Sequence, residues 1–423
     1  MQDMTDRTVT RSRRPTLRGP SVGAAAAAGL AAAMGIGRFV FTPLLPIMTG
    51  SAGITAGAGA VIATGNYAGY LTGALLLARR PQWNVRSMFL VWSVLLVASE
   101  AAMAATAQVA ILTGLRFIAG TASAAIFIAC AATVAHHRNE GASPGIAFAG
   151  VGAGIAVTGI YTLLAAPHLS WQGLWLGSAI LTALLLIPAL LLDIRTETGR
   201  TGRADDTEHG AEAPSRRALR LLSASYFAEG VGYIIVGTFL VAAVAGNGSS
   251  SAEALVWTLV GLCAMPATVA WHRMAHIFGT GPTLAAALGL QAAGTAVAAV
   301  SGSIAAAVVT AVTFGATFMA VVVLTLDFAH QLHATRAAAV LTATYAVGQV
   351  TGPLIVIPVL GTDFATAFTI AAMIIALSAI LALAASRTHR HCNDPGAGPG
   401  SRPRADPQHP AQPADFRSRT PLR

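Results

Sequence analysis

The sequence predicts an all-α integral membrane protein: twelve transmembrane helices arranged as two pseudo-symmetric six-helix bundles. Three observations carry the prediction. Of 423 residues, 55% are hydrophobic and only 10% charged, whereas a soluble globular chain carries about 25% charged residues. Twelve apolar runs are long enough to cross a bilayer, which takes ~20 helical residues. Arginine alternates between consecutive inter-span segments, and a glycine pattern recurs at nearly one offset along the chain.

The runs lie near 21–48, 54–78, 87–107, 109–135, 144–166, 172–192, 219–245, 253–271, 282–302, 304–328, 337–358 and 365–386. All 26 basic residues are arginines. From the N-terminal lead onward, the segments hold five, zero, three, zero, one, zero, six (Arg220 counted at the loop edge), zero, one, zero, one, zero and seven of them. Only Arg38 and Arg116 fall inside spans. Such alternation fits the positive-inside rule with both termini in the cytoplasm. A cleaved signal peptide is the rival reading of the first span, but the alternation requires that span to be retained.

Residues 193–218 form the only long internal polar stretch and divide the chain into an N-terminal bundle (21–192) and a C-terminal bundle (219–386). The lead 1–20 and the Pro- and Arg-rich tail 387–423 lack a packing pattern and read as disordered cytoplasmic tails. Gly35-x-Gly37 recurs as Gly230-x-Gly232 at an offset of 195, and Gly150-xxx-Gly154 as Gly348-xxx-Gly352 at 198. Arg79-Arg80 answers His272-Arg273. Together these suggest two parallel halves related by an axis along the membrane normal.

The net charge of +9 does not point to nucleic acid, because the arginines mark topology and form no clustered basic face. The three cysteines are too scattered for a disulfide frame or a metal site. No metalloprotease, nucleophile-elbow or phosphate-loop motif is present. No metal, cofactor or enzyme activity is therefore expected.

Chemistry concentrates in the polar residues inside the membrane. Arg38 sits in an otherwise apolar run, where a guanidinium costs about 2.5–3.5 kcal/mol on insertion scales and needs a cavity or a partner. Gly35 and Gly37 thin the helix before it, and Pro43 and Pro46 follow, where a bend or a freed carbonyl is expected. Polar stripes at helical spacing occur on spans 1 (Gly35, Arg38, Thr42), 4 (Thr113, Arg116, Gly120, Ser123), 7 (Tyr226, Glu229, Tyr233) and 10 (Thr310, Thr313, Thr317). A shared lining of one cavity is the natural reading; the alternative is that the hydroxyls bond their own helices. Asn66, Tyr67 and Tyr70 on span 2, and Tyr345 and Gln349 on span 11, extend the candidate pathway. Gly65, Gly69, Gly73, Gly150, Gly154, Gly348 and Gly352 read as close-packing positions, with Gly35 and Gly37.

Counting from the loops places Glu100 and Arg116 at one depth on adjacent spans, which predicts a structural ion pair. Arg38 and Glu229 differ in depth by roughly 6 Å at 1.5 Å per residue. A substrate, a water or a rocking motion could connect them, so Glu229 is the carboxylate expected to act with Arg38. Asp327 falls at the cytoplasmic end of span 10 and reads as interfacial.

Twelve spans with a central loop resemble the major facilitator superfamily. RFIAGTASA (116–124) resembles its span-4 motif, Arg-x-x-x-Gly followed by small residues. GIGRFVFTPLLPIM (35–48), NYAGYLTGALL (66–76), GVGYIIVGTFL (230–240), GATFMAVVVL (315–324) and AVGQVTGPL (346–354) are similar to the bacterial YbfB/YjiJ-like transporters. The resemblance implies that spans 1, 4, 7 and 10 line a central cavity, that spans 2 and 11, and 5 and 8, meet across the halves, and that Arg116 serves proton movement or cavity electrostatics. It further suggested that the glycine ladders on spans 2 and 11 serve that meeting. The loop motif Gly-x-x-x-Asp-Arg is reduced here to ARRPQWNVR, and the antiporter Gly-Pro signature is missing from span 5.

The function expected is secondary active transport of a small polar or charged metabolite by rocking alternating access. A proton is the second candidate cargo, and Glu229 its carrier. The setting would be the bacterial inner (plasma) membrane, with a monomer in the lipid bilayer and no nucleic-acid partner. Few aromatics are expected in the cavity, which weighs against bulky lipophilic cations. The alternatives are multidrug efflux by the same fold and, from another class, an integral membrane enzyme or a sensor. The short outer loops and apolar-poor tails give the last two no catalytic cluster and no output domain.

Overall fold

In hydrocarbon every backbone N–H and C=O must be satisfied within the segment, so each apolar run becomes a helix. The computed structural model describes residues 17, 19–194, 216–245, 250–332, 337–360 and 364–393. Its twelve helices are α1 (Pro20–Ala52), α2 (Ala56–Arg79), α3 (Arg86–Ala105), α4 (Val109–His136), α5 (Pro144–Ala165), α6 (Trp171–Ala189), α7 (Arg216–Val244), α8 (Ser250–Phe278), α9 (Thr280–Val300), α10 (Ile304–Gln331), α11 (Ala337–Leu360) and α12 (Phe364–Asn393). Most of the lead, the central loop from 195 to 215 and the tail beyond 393 lie outside the described residues.

The expected ends hold to within a few residues except at α12, which takes residues 387–393 of the expected disordered tail into its helix, and at α8. That helix runs on to Phe278, so His272 and Arg273, read as a loop, ride on its last turns. There His272 Nδ1 lies 3.4 Å from Asp327 of α10, in keeping with an interfacial place for that carboxylate.

Packing repeats between the halves. α1 rests on α5 and α6, as α7 rests on α11 and α12; α2 lies on α4, as α8 lies on α10; α3 meets α4 and α6, as α9 meets α10 and α12. The halves join along two seams, α2 with α11 and α5 with α8.

The glycines assigned to packing do pack, but the ladders on spans 2 and 11 do not serve the seam they were expected to serve. A Cβ on Gly65, Gly69 or Gly73 would run into α4 at Thr113, Phe117 and Thr121, within one half. Gly348 and Gly352 press on α7 at Phe227 and Val231, and Gly150 and Gly154 on α1 at Ala27 and Ala31. The close approach of Gly35 to Gly154 belongs to the same α1–α5 contact. Crossing contacts use other glycines, Gly152 against Gly261 and Gly159 against Thr258. Small residues work on whichever face needs two backbones close, and a GxxxG pattern does not say which helix is the partner.

Candidate functional site

The centre of the molecule is built on a break in α1. Its α-helix ends at Leu30, a π-turn covers Ala31–Ile36, residues 37–40 form a turn, and α-helix resumes at Phe41. The cause is local. Pro43 has no N–H to give to the carbonyl of Phe39, which accepts instead from the Thr42 amide at 3.1 Å, while the Gly37 amide reaches back five residues to Ala32 at 2.8 Å.

The break frees the carbonyls of Gly37 and Arg38, and Arg116 of α4 caps both. Nη1 donates to Gly37 O at 2.8 Å and Nη2 to Arg38 O at 2.6 Å. Asn66 of α2 donates to Arg116 O at 3.1 Å and, more weakly, to Gly37 O at 3.4 Å. The Arg116 guanidinium lies 5.6 Å from the Phe41 ring centroid and 5.9 Å from that of Trp175. The sequence-predicted ion pair with Glu100 does not form. Both Glu100 oxygens are buried without a hydrogen-bond partner, because freed carbonyls, invisible in a residue count, claim the Arg116 fork first.

With its backbone held, Arg38 points to the boundary between the halves. Nη2 donates to Tyr233 Oη of α7 at 3.2 Å and, in a short bond, to Gln349 Oε1 of α11. Its Cζ lies 4.5 Å from the ring centroid of Tyr70, 5.2 Å from Tyr67 and 5.5 Å from Phe39. The residue is 3% exposed, and its Nε has no partner. Among the described residues no carboxylate bonds to this guanidinium.

Tyr226, Tyr345 and Tyr233 stack face to face, at centroid separations of 4.2 Å and 5.4 Å. Phe314 and Phe318 of α10 continue the column beyond Tyr233 at 6.2 Å and 6.3 Å, all within 14° of parallel. Five of the six tyrosines thus gather around Arg38, so the expectation of few cavity aromatics is wrong. Residues far apart in sequence supply them, and no local pattern adds them up.

Two further expectations need correction. Glu229 does not face Arg38; its Oε1 accepts from Gln291 Nε2 of α9 at 2.9 Å. Gln291, fully buried, escaped notice because a lone glutamine in span 9 has no stripe. Nor does α10 offer hydroxyls: Thr317 donates to its own helix at Thr313 O, 2.7 Å, and Thr310 to Ala306 O and Gly294 O. Phe314 and Phe318, spaced i and i+4, are what α10 presents to the centre. On the side of Arg38 away from the chain ends, three bonds cross between halves: Thr42 Oγ1 to Gly237 O at 2.7 Å, Tyr67 Oη with Thr238 Oγ1 at 2.9 Å, and Trp257 Nε1 to Thr158 Oγ1 at 3.0 Å.

Residues 30–387 match the family model described as "Uncharacterised MFS-type transporter YbfB". No match was found among curated proteins. Solved structures of the nucleoside transporter NupG are similar. A point mutant has a TM-score of 0.68 at 14% identity, covering 87% of this chain and 99% of that one. A second NupG structure has a TM-score of 0.65 at 12% identity, covering 88% and 98%. At these identities the likeness shows the fold.

Proposed function

We propose, for a chain that belongs to the YbfB family of MFS-type transporters, a mechanism in which Arg38 binds cargo between two rocking halves. The protein is a secondary transporter of small molecules in a membrane, with a family and a fold that are those of transporters rather than enzymes. The observation that carries the proposal is the position of Arg38. It stands on the N-terminal half, and its two side-chain acceptors, Tyr233 and Gln349, both belong to the C-terminal half. A ligand group that replaced those acceptors would change how the halves are tied, as alternating access about a midplane site requires. The cargo is a small molecule bearing an anionic or polar group.

Thr42–Gly237, Tyr67–Thr238 and Trp257–Thr158 are the closing bonds of the side away from the chain ends. By the arginine alternation that side is periplasmic, in a bacterial inner membrane with both termini in the cytoplasm. Glu229, held by Gln291 and one turn from Tyr226 and Tyr233, is the proton carrier. Its titration would act on the tyrosine column rather than on Arg38 directly. The protein acts as a monomer.

Multidrug efflux is the second reading, favoured by the aromatic column. The central charge weighs against it for cations, since Arg38 repels them. The nucleosides named for the structural neighbours belong in any test panel, because a nucleobase is planar. A thermal-shift screen of purified protein against small acids, nucleosides and cationic drugs, repeated on Arg38→Gln, tests the site. Hits are expected to vanish in the variant. A hit that keeps its affinity there would remove Arg38 from the site.

A further inference from the structure

We infer that the cargo is a planar aromatic monocarboxylate, with its carboxylate on the Arg38 fork and its ring seated among the central tyrosines. The inference rests on the reading of Arg38 as the cargo site and goes further by naming the substrate class. Four features of the site carry it.

The first is charge. The Arg38 guanidinium is almost wholly buried and has only neutral partners, a phenol and an amide. An anion is its missing complement. The second is valence. Arg116, the other buried guanidinium, gives both Nη groups to the carbonyls of Gly37 and Arg38 and keeps only Nε unpartnered, so Arg38 is the one cation that bonds across to the other half. One guanidinium matches one carboxylate; a phosphate dianion would call for more.

The third feature is geometry. Nε is buried without a partner, and Nη2 beside it bonds two neutral oxygens. Nε–H and Nη2–H form one edge of the planar fork, which receives the two oxygens of a carboxylate side by side. The ligand would fill the empty donor and displace the neutral acceptors in one step. The fourth is the wall. Tyr67 and Tyr70 turn ring faces to the guanidinium, and the column Tyr226–Tyr345–Tyr233 with Phe314 and Phe318 reaches it through the Tyr233 hydroxyl. Aromatic rings favour offset or edge-to-face neighbours over aliphatic ones of equal area. Glu229 makes no bond to Arg38 among the described residues: its Oε1 accepts from Gln291, and its Oε2 is buried without a partner.

The test uses the full-length purified chain and isothermal titration with four probes. Benzoate and 2-naphthoate carry both features, cyclohexanecarboxylate keeps the charge without the planar ring, and benzamide keeps the ring without the charge. The aromatic acids are expected to bind about tenfold or more tighter than cyclohexanecarboxylate, the order of one or two aromatic contacts, and benzamide to show no binding. Tyr70→Leu should bring the aromatic and saturated acids to within about twofold of each other, and Tyr70→Phe should restore the preference, which identifies the ring rather than the hydroxyl or the fold. Equal affinity for benzoate and cyclohexanecarboxylate, with both lost in Arg38→Gln, would overturn the aromatic class and leave the central anion site standing. Aromatic acids that bind Arg38→Gln as well as wild type would overturn the site itself. Absence of binding by every carboxylate would overturn both.

Discussion

Arg38 and Tyr233 occupy corresponding positions in the two halves, one ending GIGR and the other GVGY, 195 residues apart, and they hydrogen-bond to each other at 3.2 Å. Thr42 and Gly237, at the same separation, do so as well at 2.7 Å. When equivalent residues of a repeat touch, the pseudo-twofold axis passes between them. The symmetric backbone therefore brings an asymmetric pair, a cation and a phenol, to the one place both halves share.

Replacement of Arg38 should separate stability from function. A guanidinium inside the membrane costs about 2.5–3.5 kcal/mol on insertion scales, which outweighs or matches the cost of about 1–3 kcal/mol for a buried acceptor left unpaired when it is removed. Arg38→Met is expected to melt at or above the wild-type temperature while losing every ligand-induced shift. Thermal unfolding with and without a bound acid measures both.

Arg116 should behave in the opposite way. Arg116→Gln removes the charged donor from the carbonyls of Gly37, left with the weak bond from Asn66, and Arg38, and bonds from a charged donor contribute about 1.5–3 kcal/mol each. A drop in melting temperature of several degrees is expected, accompanied by weakened ligand binding, because the backbone that aims Arg38 is no longer held.

Glu100 and Arg116 should prove nearly independent. Breaking a contacting buried pair costs about 3–5 kcal/mol. Since both Nη groups of Arg116 are bonded elsewhere, a double-mutant cycle with Glu100→Gln and Arg116→Gln should return a coupling well below that of a contacting pair. A value near that of a contacting buried pair would restore the ion pair.

Proton coupling is read from Glu229. In proteoliposomes, Glu229→Gln is expected to abolish accumulation driven by a pH gradient while leaving counterflow exchange of the cargo. Gln291→Leu, which removes the Nε2 donor to the carboxylate, should shift the pH profile without abolishing it. Gradient-driven uptake that survives Glu229→Gln would take the proton away from this residue.

The packing glycines give a last check. Gly120→Leu drives a side chain into the backbone of α2 at Asn66 and Tyr70, and Gly289→Leu meets open space on the bilayer side of α9. Overpacking typically costs 1–3 kcal/mol, so the first variant should express poorly or melt early, and the second should resemble wild type in a detergent-solubilised melting assay.

The sequence by itself determined the helices, their number and the two-half plan. Hydrocarbon leaves the backbone no alternative to a helix, and arginine distribution and repeated glycines are properties of the linear chain. It also marked nearly every residue that meets at the centre: Arg38, Tyr67, Tyr70, Tyr226, Tyr233, Tyr345 and Gln349. Which of them touch was decided only in the tertiary structure. The freed carbonyls of the broken α1 draw Arg116 away from Glu100, Gln291 draws Glu229 away from Arg38, and the threonines of α10 bond backbone carbonyls of α10 and, for Thr310, of α9. Each outcome is a competition for hydrogen-bond partners at short range, settled by atoms of helices distant in the chain. Spacing along one helix says which residues share a face, and it does not say which partner that face will find.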